Sequence, residues 1–282
     1  MWLIGAHVSI AGEISQSFDR AKALNCTAFQ IFTRNPRGWA SKKLDEKEIL
    51  NFHKKLEETG LSPIAHMPYL PNLASPNKEI YDKSVKILAE ELTKCHILKI
   101  QYLVTHLGSH MGTSEEEGIR RVAEACNIAL KSSEGNTMLL LENTAGQKNS
   151  VGHTLGHLRK CLDLIEDQSR VGVCFDTCHG FAAGYDIRTQ DAVEHLLKDF
   201  EETIGVERLK VIHVNDSKGA LNSHLDRHEH IGRGRIGLNG FKALMSFKQV
   251  RKLPLIIETP YDSEKDYMRD IEILWSIAKE QV

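Results

Sequence analysis

Eight short runs of apolar and β-branched residues punctuate the chain: Leu3–Val8, Ala28–Thr33, Ser62–His66, Tyr102–His106, Met138–Glu142, Val171–Asp176, Leu209–His213 and Leu255–Glu258. Their length and composition predict buried β-strands. Between them the apolar residues change to helical spacing. Val85, Leu88, Leu92 and Cys95 lie three or four apart, as do Ile119, Val122 and Cys126, and Leu155, Leu158, Leu162 and Ile165; one face of each segment is therefore apolar.

Strand and helix alternate throughout, which predicts parallel strands joined by right-handed crossovers. Eight such units in 282 residues close into an α/β (β/α)8 TIM barrel, a single domain spanning residues 1–282. An open doubly wound sheet is the alternative topology. The longer connections, 33–44, 67–77, 143–152, 177–188 and 214–237, all follow strands. In a barrel they gather on the C-terminal face, where active sites form.

Composition narrows the setting. An apolar content of 41% suits a globular chain with a sizeable core. There is no apolar run of about 18 residues and no basic leader ahead of a cleavage site, so cytoplasmic residence without a membrane partner is expected. Cys26, Cys95, Cys126, Cys161, Cys174 and Cys178 form no CxxC pair, which argues against a disulfide framework. A net charge of −2 would by itself argue against a nucleic-acid partner, but bound divalent cations would change that balance.

The residues that close the apolar runs carry the chemistry. His66, His106, Glu142, Asp176, His213 and Glu258 stand at strand ends, and His179, Asp226 and His228 follow in the connections. For any one of them a hydrogen bond or a helix cap is the commoner role. Together they would place many polar groups toward a core, which is costly unless something pairs with them. Imidazole and carboxylate without thiolate suit Zn²⁺, Mn²⁺ or Fe²⁺ in an open catalytic cluster. Asp226 and His228 are two apart, so in extended backbone they chelate one ion. Asp176 and His179, three apart across a turn, are expected to serve neighbouring ions. Asp216 is expected to support ligands or form a turn without binding metal, His7 to support ligands, and His110, His224 and His230 to take supporting or surface roles. The glycine-rich HIGRGRIG (230–237) reads as a shaped loop, not as a dinucleotide fingerprint between strand and helix.

GAHVSIAG (5–12), LLLENTAGQ (139–147), VGVCFDTCHGFAAGYD (171–186) and HVNDSKGALNSHLDRHEHIGRG (213–234) resemble endonuclease IV over nearly the full chain. The resemblance implies a (β/α)8-barrel apurinic/apyrimidinic endonuclease acting as a monomer on double-stranded DNA that contains abasic sites. It implies three zinc ions, with Mn²⁺ or Fe²⁺ as alternatives in some sites. His66, His106 and Glu142 would hold the first, Asp176, His213 and Glu258 with bridging Glu142 the second, and His179, Asp226 and His228 the third. Arg37, Tyr69 and Leu70 match DNA-contacting positions. Gly38 departs from the family, which often carries Gln there.

The implied reaction is hydrolysis of the phosphodiester 5′ to an abasic site, leaving 3′-hydroxyl and 5′-deoxyribose-phosphate ends, together with removal of 3′ blocking groups. Glu142 and Glu258 are the catalytic carboxylates on this reading. Such hydrolysis needs a nucleophile at neutral pH and stabilisation of charge on phosphorus and leaving group, all of which divalent ions supply. Arg34, Arg37, Lys42, Lys43, Lys148, Lys218, Arg227, Arg233 and Arg235 are candidates for a phosphate-tracking rim. The Pro-bordered Tyr69–Leu70 pair is a candidate wedge at the lesion. A sugar isomerase or epimerase on the same barrel would explain Glu142, Asp176, His213 and Glu258, but not His66, His106, His179 and the Asp226/His228 pair. A non-enzymatic metal-binding module would not need so many ligands at open positions.

Overall fold

The computed structural model describes residues 2–39, 44–261 and 263–281. Seven barrel strands come first: β1 (Leu3–His7), β2 (Ala28–Phe32), β3 (Ser62–His66), β4 (Tyr102–His106), β5 (Met138–Glu142), β6 (Val171–Asp176) and β7 (Leu209–His213). A two-stranded antiparallel hairpin, β8 (Asp216–Ser217) with β9 (His228–Glu229), follows, and β10 (Pro254–Ile257) completes the barrel. Neighbouring barrel strands pair in parallel in the closed order β1-β10-β7-β6-β5-β4-β3-β2. The surrounding helices are α1 (Gln16–Ala23), α2 (Glu46–Thr59), α3 (Lys78–Ile97), α4 (Glu115–Ser132), α5 (Leu155–Leu164), α6 (Thr177–Ala182), α7 (Gln190–Thr203), α8 (Gly237–Ser246) and α9 (Glu264–Glu280).

All eight expected barrel strands form, and three differ at their ends. β1 stops at His7, not Val8. β2 stops at Phe32, and the Thr33 hydroxyl that follows donates to the Glu91 carboxylate. β10 spans Pro254–Ile257, and the N–H of Glu258 donates to Asn215 Oδ1 (2.7 Å) instead of to a neighbouring strand. Neither β8 nor β9 is foreshadowed by an apolar run. Their order comes from backbone pairing of Asp216 with Glu229 and Ser217 with His228.

Two apolar layers divide the core. The outer one packs helices against the barrel, while Ala28, Ile64, Val104, Leu140, Cys174, Val211 and Ile256 fill the barrel interior. Side chains alternate across a strand with a period of two. The next inward position beyond each of these fillers is Gln30, His66, His106, Glu142, Asp176, His213 and Glu258. His7, paired in register with Gln30, completes the ring on β1. The pleat thus raises one polar layer directly above an apolar plug.

Asp216 organises the loop that closes this layer. Fully buried, its carboxylate accepts the backbone N–H groups of Ser217 (2.8 Å), Gly232, Gly234 and Ile236 (each 3.0 Å) and Gly237 (3.2 Å). The segment 230–237 does join a strand, β9, to a helix, α8, contrary to the sequence expectation. Its donors are turned inward onto a protein carboxylate, so it is not free to cradle a phosphate. A Cβ on Gly234 would lie 2.4 Å from Asp216 Oδ1 and 2.5 Å from Ser217 O. Gly234→Ala is therefore expected to destabilise the fold by about 2–4 kcal/mol through disrupted buried hydrogen bonds. Urea denaturation measures this; an unchanged midpoint would refute the role assigned to the nest.

Candidate metal centre

The polar layer gathers the expected ligand groups at the C-terminal mouth. His66, Glu142, Asp176, His179 and His213 are buried, while His106, Asp226, His228 and Glu258 are partly open to a cavity of about 650 Å³. Asp176 caps the N-terminus of α6, its Oδ1 accepting the N–H of His179 at 2.8 Å. The turn between these two residues is thus the first turn of a helix, which sends the two side chains to different parts of the mouth. β9 delivers His228, and the extended segment before it delivers Asp226.

Three sets of donor atoms result, each within 4.8 Å of one another: His66, His106 and Glu142; Glu142, Asp176, His213 and Glu258; and His179, Asp226 and His228. Glu142 joins the first two sets. Its Oε2 lies 3.0 Å from His66 Nε2 and 3.1 Å from His106 Nε2, and its Oε1 lies 3.0 Å from His213 Nδ1. In the third set His179 Nε2 is 3.3 Å from Asp226 Oδ1 and 3.4 Å from His228 Nε2. A further grouping would join Cys178 to Asp176 and His228. Burial pushes the Cys178 thiol up to about 12, so it stays protonated and is a poor ligand beside ionised carboxylates.

The second nitrogen of four rings fixes which lone pair faces the cavity. His66 Nδ1 faces Met67 O (2.7 Å), His179 Nδ1 faces Asn143 O (3.0 Å) and His228 Nδ1 faces Glu258 O (2.9 Å). A carbonyl only accepts, so each Nδ1 carries the proton and each Nε2 presents its lone pair. For His213 the roles reverse, because Nε2 faces Gln30 Oε1 (2.8 Å) and Nδ1 is left toward Glu142. Gln30 is oriented in turn by donating to Glu258 Oε1 (2.6 Å) and toward His7 Nδ1 (3.1 Å). Outer partners of this kind orient metal ligands.

Electrostatics supports the same reading. Burial opposes charge on His106, His179 and His213, yet each is held above the ordinary imidazole value. Glu142 does this for His106, Asp176 and Asp226 for His179, and Cys174, Glu258 and Glu142 for His213. Burial likewise opposes ionisation of Glu142, Glu258 and Asp226, but facing imidazoles win. Glu142 and Glu258 are driven well below the usual carboxylate range, and Asp226 falls to about 2. The carboxylates attract positive charge that protons or metal ions can supply. Burial lowers His7 instead, keeping it neutral to accept from Gln30.

Three supporting residues lay outside the sequence expectations. Asn143 bonds both backbone groups of Asp176, Asn215 Nδ2 donates to Asp176 Oδ2 (2.6 Å), and Gln30 bridges His213 and Glu258. The available signal was the period-two alternation, which places Gln30 in the ligand layer. Asp216 is not among the metal-facing groups and acts through the loop nest described above.

Of the expected DNA-contacting residues, Tyr69 lines the cavity at the mouth. Tyr69 is 70% exposed and stands edge-on to Phe32 at 5.1 Å, Leu70 is partly exposed, and Arg37 is exposed. Arg34 does not join a phosphate rim. It is buried, its Nε donating to Glu91 Oε1 (2.8 Å), Nη2 to Glu90 Oε2 (2.7 Å) and Nη1 to Trp39 O (3.3 Å). It pins the loop that carries Arg37 to α3. Lys42 and Lys43 lie outside the described residues, whereas Lys148, Lys218, Arg227, Arg233 and Arg235 are exposed.

Residues 18–277 match the family described as a xylose isomerase-like TIM barrel. A protein named "Probable endonuclease 4" from Methanoculleus marisnigri is 53% identical over 267 residues, covering 94% of this chain and 95% of its own. A namesake from Nitrosopumilus maritimus is 48% identical, covering 95% and 97%. The crystal structure of endonuclease IV from Thermus thermophilus superposes with a TM-score of 0.88 at 34% identity, covering 98% and 99% of the two chains. A D-tagatose 3-epimerase-like protein matches at a TM-score of 0.71 with 19% identity over 98% of each chain, a likeness of fold alone. With similarity extending over nearly the whole length of these relatives, the chain belongs to the endonuclease IV family.

Proposed function

We propose that the protein is a DNA-repair apurinic/apyrimidinic endonuclease. It hydrolyses the phosphodiester 5′ to an abasic site to leave 3′-hydroxyl and 5′-deoxyribose-phosphate ends, and it removes 3′ blocking groups. The observation that carries this reading is the meeting of nine ligand-type groups at one barrel mouth, with ring lone pairs directed inward by outer partners. His66, His106 and Glu142 would hold one ion, Glu142, Asp176, His213 and Glu258 a second, and His179, Asp226 and His228 a third. Zinc is the best match to this donor set, with Mn²⁺ or Fe²⁺ as alternatives. When bound, such ions activate a water nucleophile, offset charge on phosphorus and stabilise the leaving oxygen.

The chain's own residues supply placement. Buried Glu142 holds the imidazoles of the first two sets in fixed relation, while Glu258, whose side chain is 20% exposed, faces the cavity where a phosphate would enter. Tyr69 and Leu70 are positioned to fill the gap left by a missing base, where unstacking costs least. Arg37, Lys148, Lys218 and Arg227 would contact flanking phosphates. Gly38 adds no side chain beside Arg37. We take the monomer as the acting form. Among the described residues no helix is long and apolar enough to cross a membrane.

The third donor set favours this reading over sugar isomerisation. Incision of a duplex bearing one abasic site should disappear on chelation and return with added zinc; incision that persists after verified metal removal would overturn metal dependence. Glu258→Gln preserves shape but removes a charge from the second set, and it should reduce kcat by at least about 100-fold, since even outer partners cost up to that much. Near-wild-type kcat in single-turnover incision would refute the role of Glu258.

Tyr69→Ala should weaken binding to abasic duplex by about 1–3 kcal/mol, the scale of one aromatic stacking contact, without reducing bound metal. Equal affinity of the two proteins in equilibrium titration would count against the wedge. Because His106, His179 and His213 are held above the ordinary imidazole value, the metal-free centre keeps imidazole protons to higher pH than free histidine would. Metal loading must expel them, so affinity should rise with pH and binding should release protons. Calorimetry in buffers of different ionisation enthalpy reads that release; buffer-independent heats would exclude it.

A further inference from the structure

A second cluster of ligand-type side chains lies apart from the nine at the barrel mouth. Glu115 is the first residue of α4, and His153 and His157 straddle Thr154, the N-cap of α5. Thr154 Oγ1 accepts the N–H of His157 at 3.1 Å, fixing the turn that brings the two imidazoles to one side. Their rings meet nearly edge-on, at 4.6 Å and 84°.

One donor atom from each of the three residues lies within 4.8 Å of the others. His153 Nδ1 is 4.0 Å from Glu115 Oε1, and His157 Nε2 is 3.6 Å from Glu115 Oε2. Bonds of about 2.0–2.2 Å to a tetrahedral ion put its ligands about 3.3–3.6 Å apart. The half-exposed Glu115 side chain therefore needs only a small movement to close the set. His153 buries an Nδ1 that has no hydrogen-bond partner and faces Glu115 Oε1 across 4.0 Å, an arrangement that calls for an explanation in a folded protein. Burial and the neighbouring His153 lower His157, against the pull of Glu115, so its ring offers a lone pair at neutral pH. The nearby charges Glu116 and Lys160 neutralise one another in an ion pair, leaving Glu115 to face the imidazoles.

We propose that Glu115, His153 and His157 form an additional cation site, on the rim of the barrel's C-terminal face, that takes a divalent transition ion such as Zn²⁺ with water completing its shell. Two imidazoles and one carboxylate select zinc-like ions over Mg²⁺ or Ca²⁺, which take oxygen ligands. The ion is a strut: it ties the start of α4, which follows the connection from His106, to the start of α5, which follows the connection from Glu142. Both connections rise from strands that supply the mouth.

The test is zinc itself, added to the full-length protein. Wild type, Glu115→Gln and His157→Gln are equilibrated at one buffered free Zn²⁺ concentration, and bound zinc is counted by elemental analysis. Wild type should hold one equivalent more than either variant, a difference that does not depend on how many ions the mouth contains. Raising free zinc should lift the wild-type Tm by a few degrees more than that of the variants. Both variants should incise abasic duplex at the wild-type rate, which separates this site from the proposed catalytic centre. Equal zinc content in wild type and Glu115→Gln, with circular dichroism unchanged, would overturn the proposal. Glu115 is an exposed helix-start residue, so that variant decides the matter even if His157→Gln fails to fold.

Discussion

A fully buried carboxylate at the mouth of the barrel, that of Glu142, governs the arrangement of everything around it. Nitrogens of His66, His106, His213 and His179 lie 3.0, 3.1, 3.0 and 3.4 Å from its oxygens. An ionised carboxylate removed from water costs several kcal/mol unless it is paired and hydrogen-bonded. The imidazoles offset that cost, and the protons they carry occupy positions that cations can take. The same attraction explains why the facing histidines are raised while the carboxylates are lowered.

Holding so many polar groups in place requires a scaffold that supplies them with hydrogen-bond partners. Asn143 and Asn215 fix Asp176, Gln30 orients His213 and Glu258, and backbone carbonyls set the tautomers of His66, His179 and His228. Asp216 gathers the N–H groups of a glycine-rich loop. Nearby, Asp270 on α9 accepts from Thr259 Oγ1 and faces His230 Nδ1, both at 2.7 Å, securing the segment just after Glu258. Hydrogen-bonded polar networks of this kind rigidify a site.

The recognition surface is built differently. Tyr69 and Arg37 project from loops into solvent, yet the loop bearing Arg37 is anchored by Arg34, whose bonds to Glu90 and Glu91 fasten it to α3. A basic residue that looks like a phosphate contact in sequence is thus an internal clamp. Proximity to Glu91 along the chain could not reveal this, because the two residues lie 57 positions apart.

The sequence by itself determined the barrel, because eight buried strands each leave a local mark and α3, α4 and α5 show helical spacing between them. It also exposed the ligand groups, since period-two alternation puts a polar residue just beyond the filler of each strand, from Ile64 to His66 and from Leu140 to Glu142. The resemblance to endonuclease IV rested on these same segments. Only the tertiary structure decided which ring nitrogen faces the mouth, which backbone groups Asp216 gathers, that Arg34 is buried, and that Glu115 meets His153 and His157. Each of those outcomes depends on partners contributed by other elements across the barrel face, and contacts between distant segments leave no periodicity in the segments themselves.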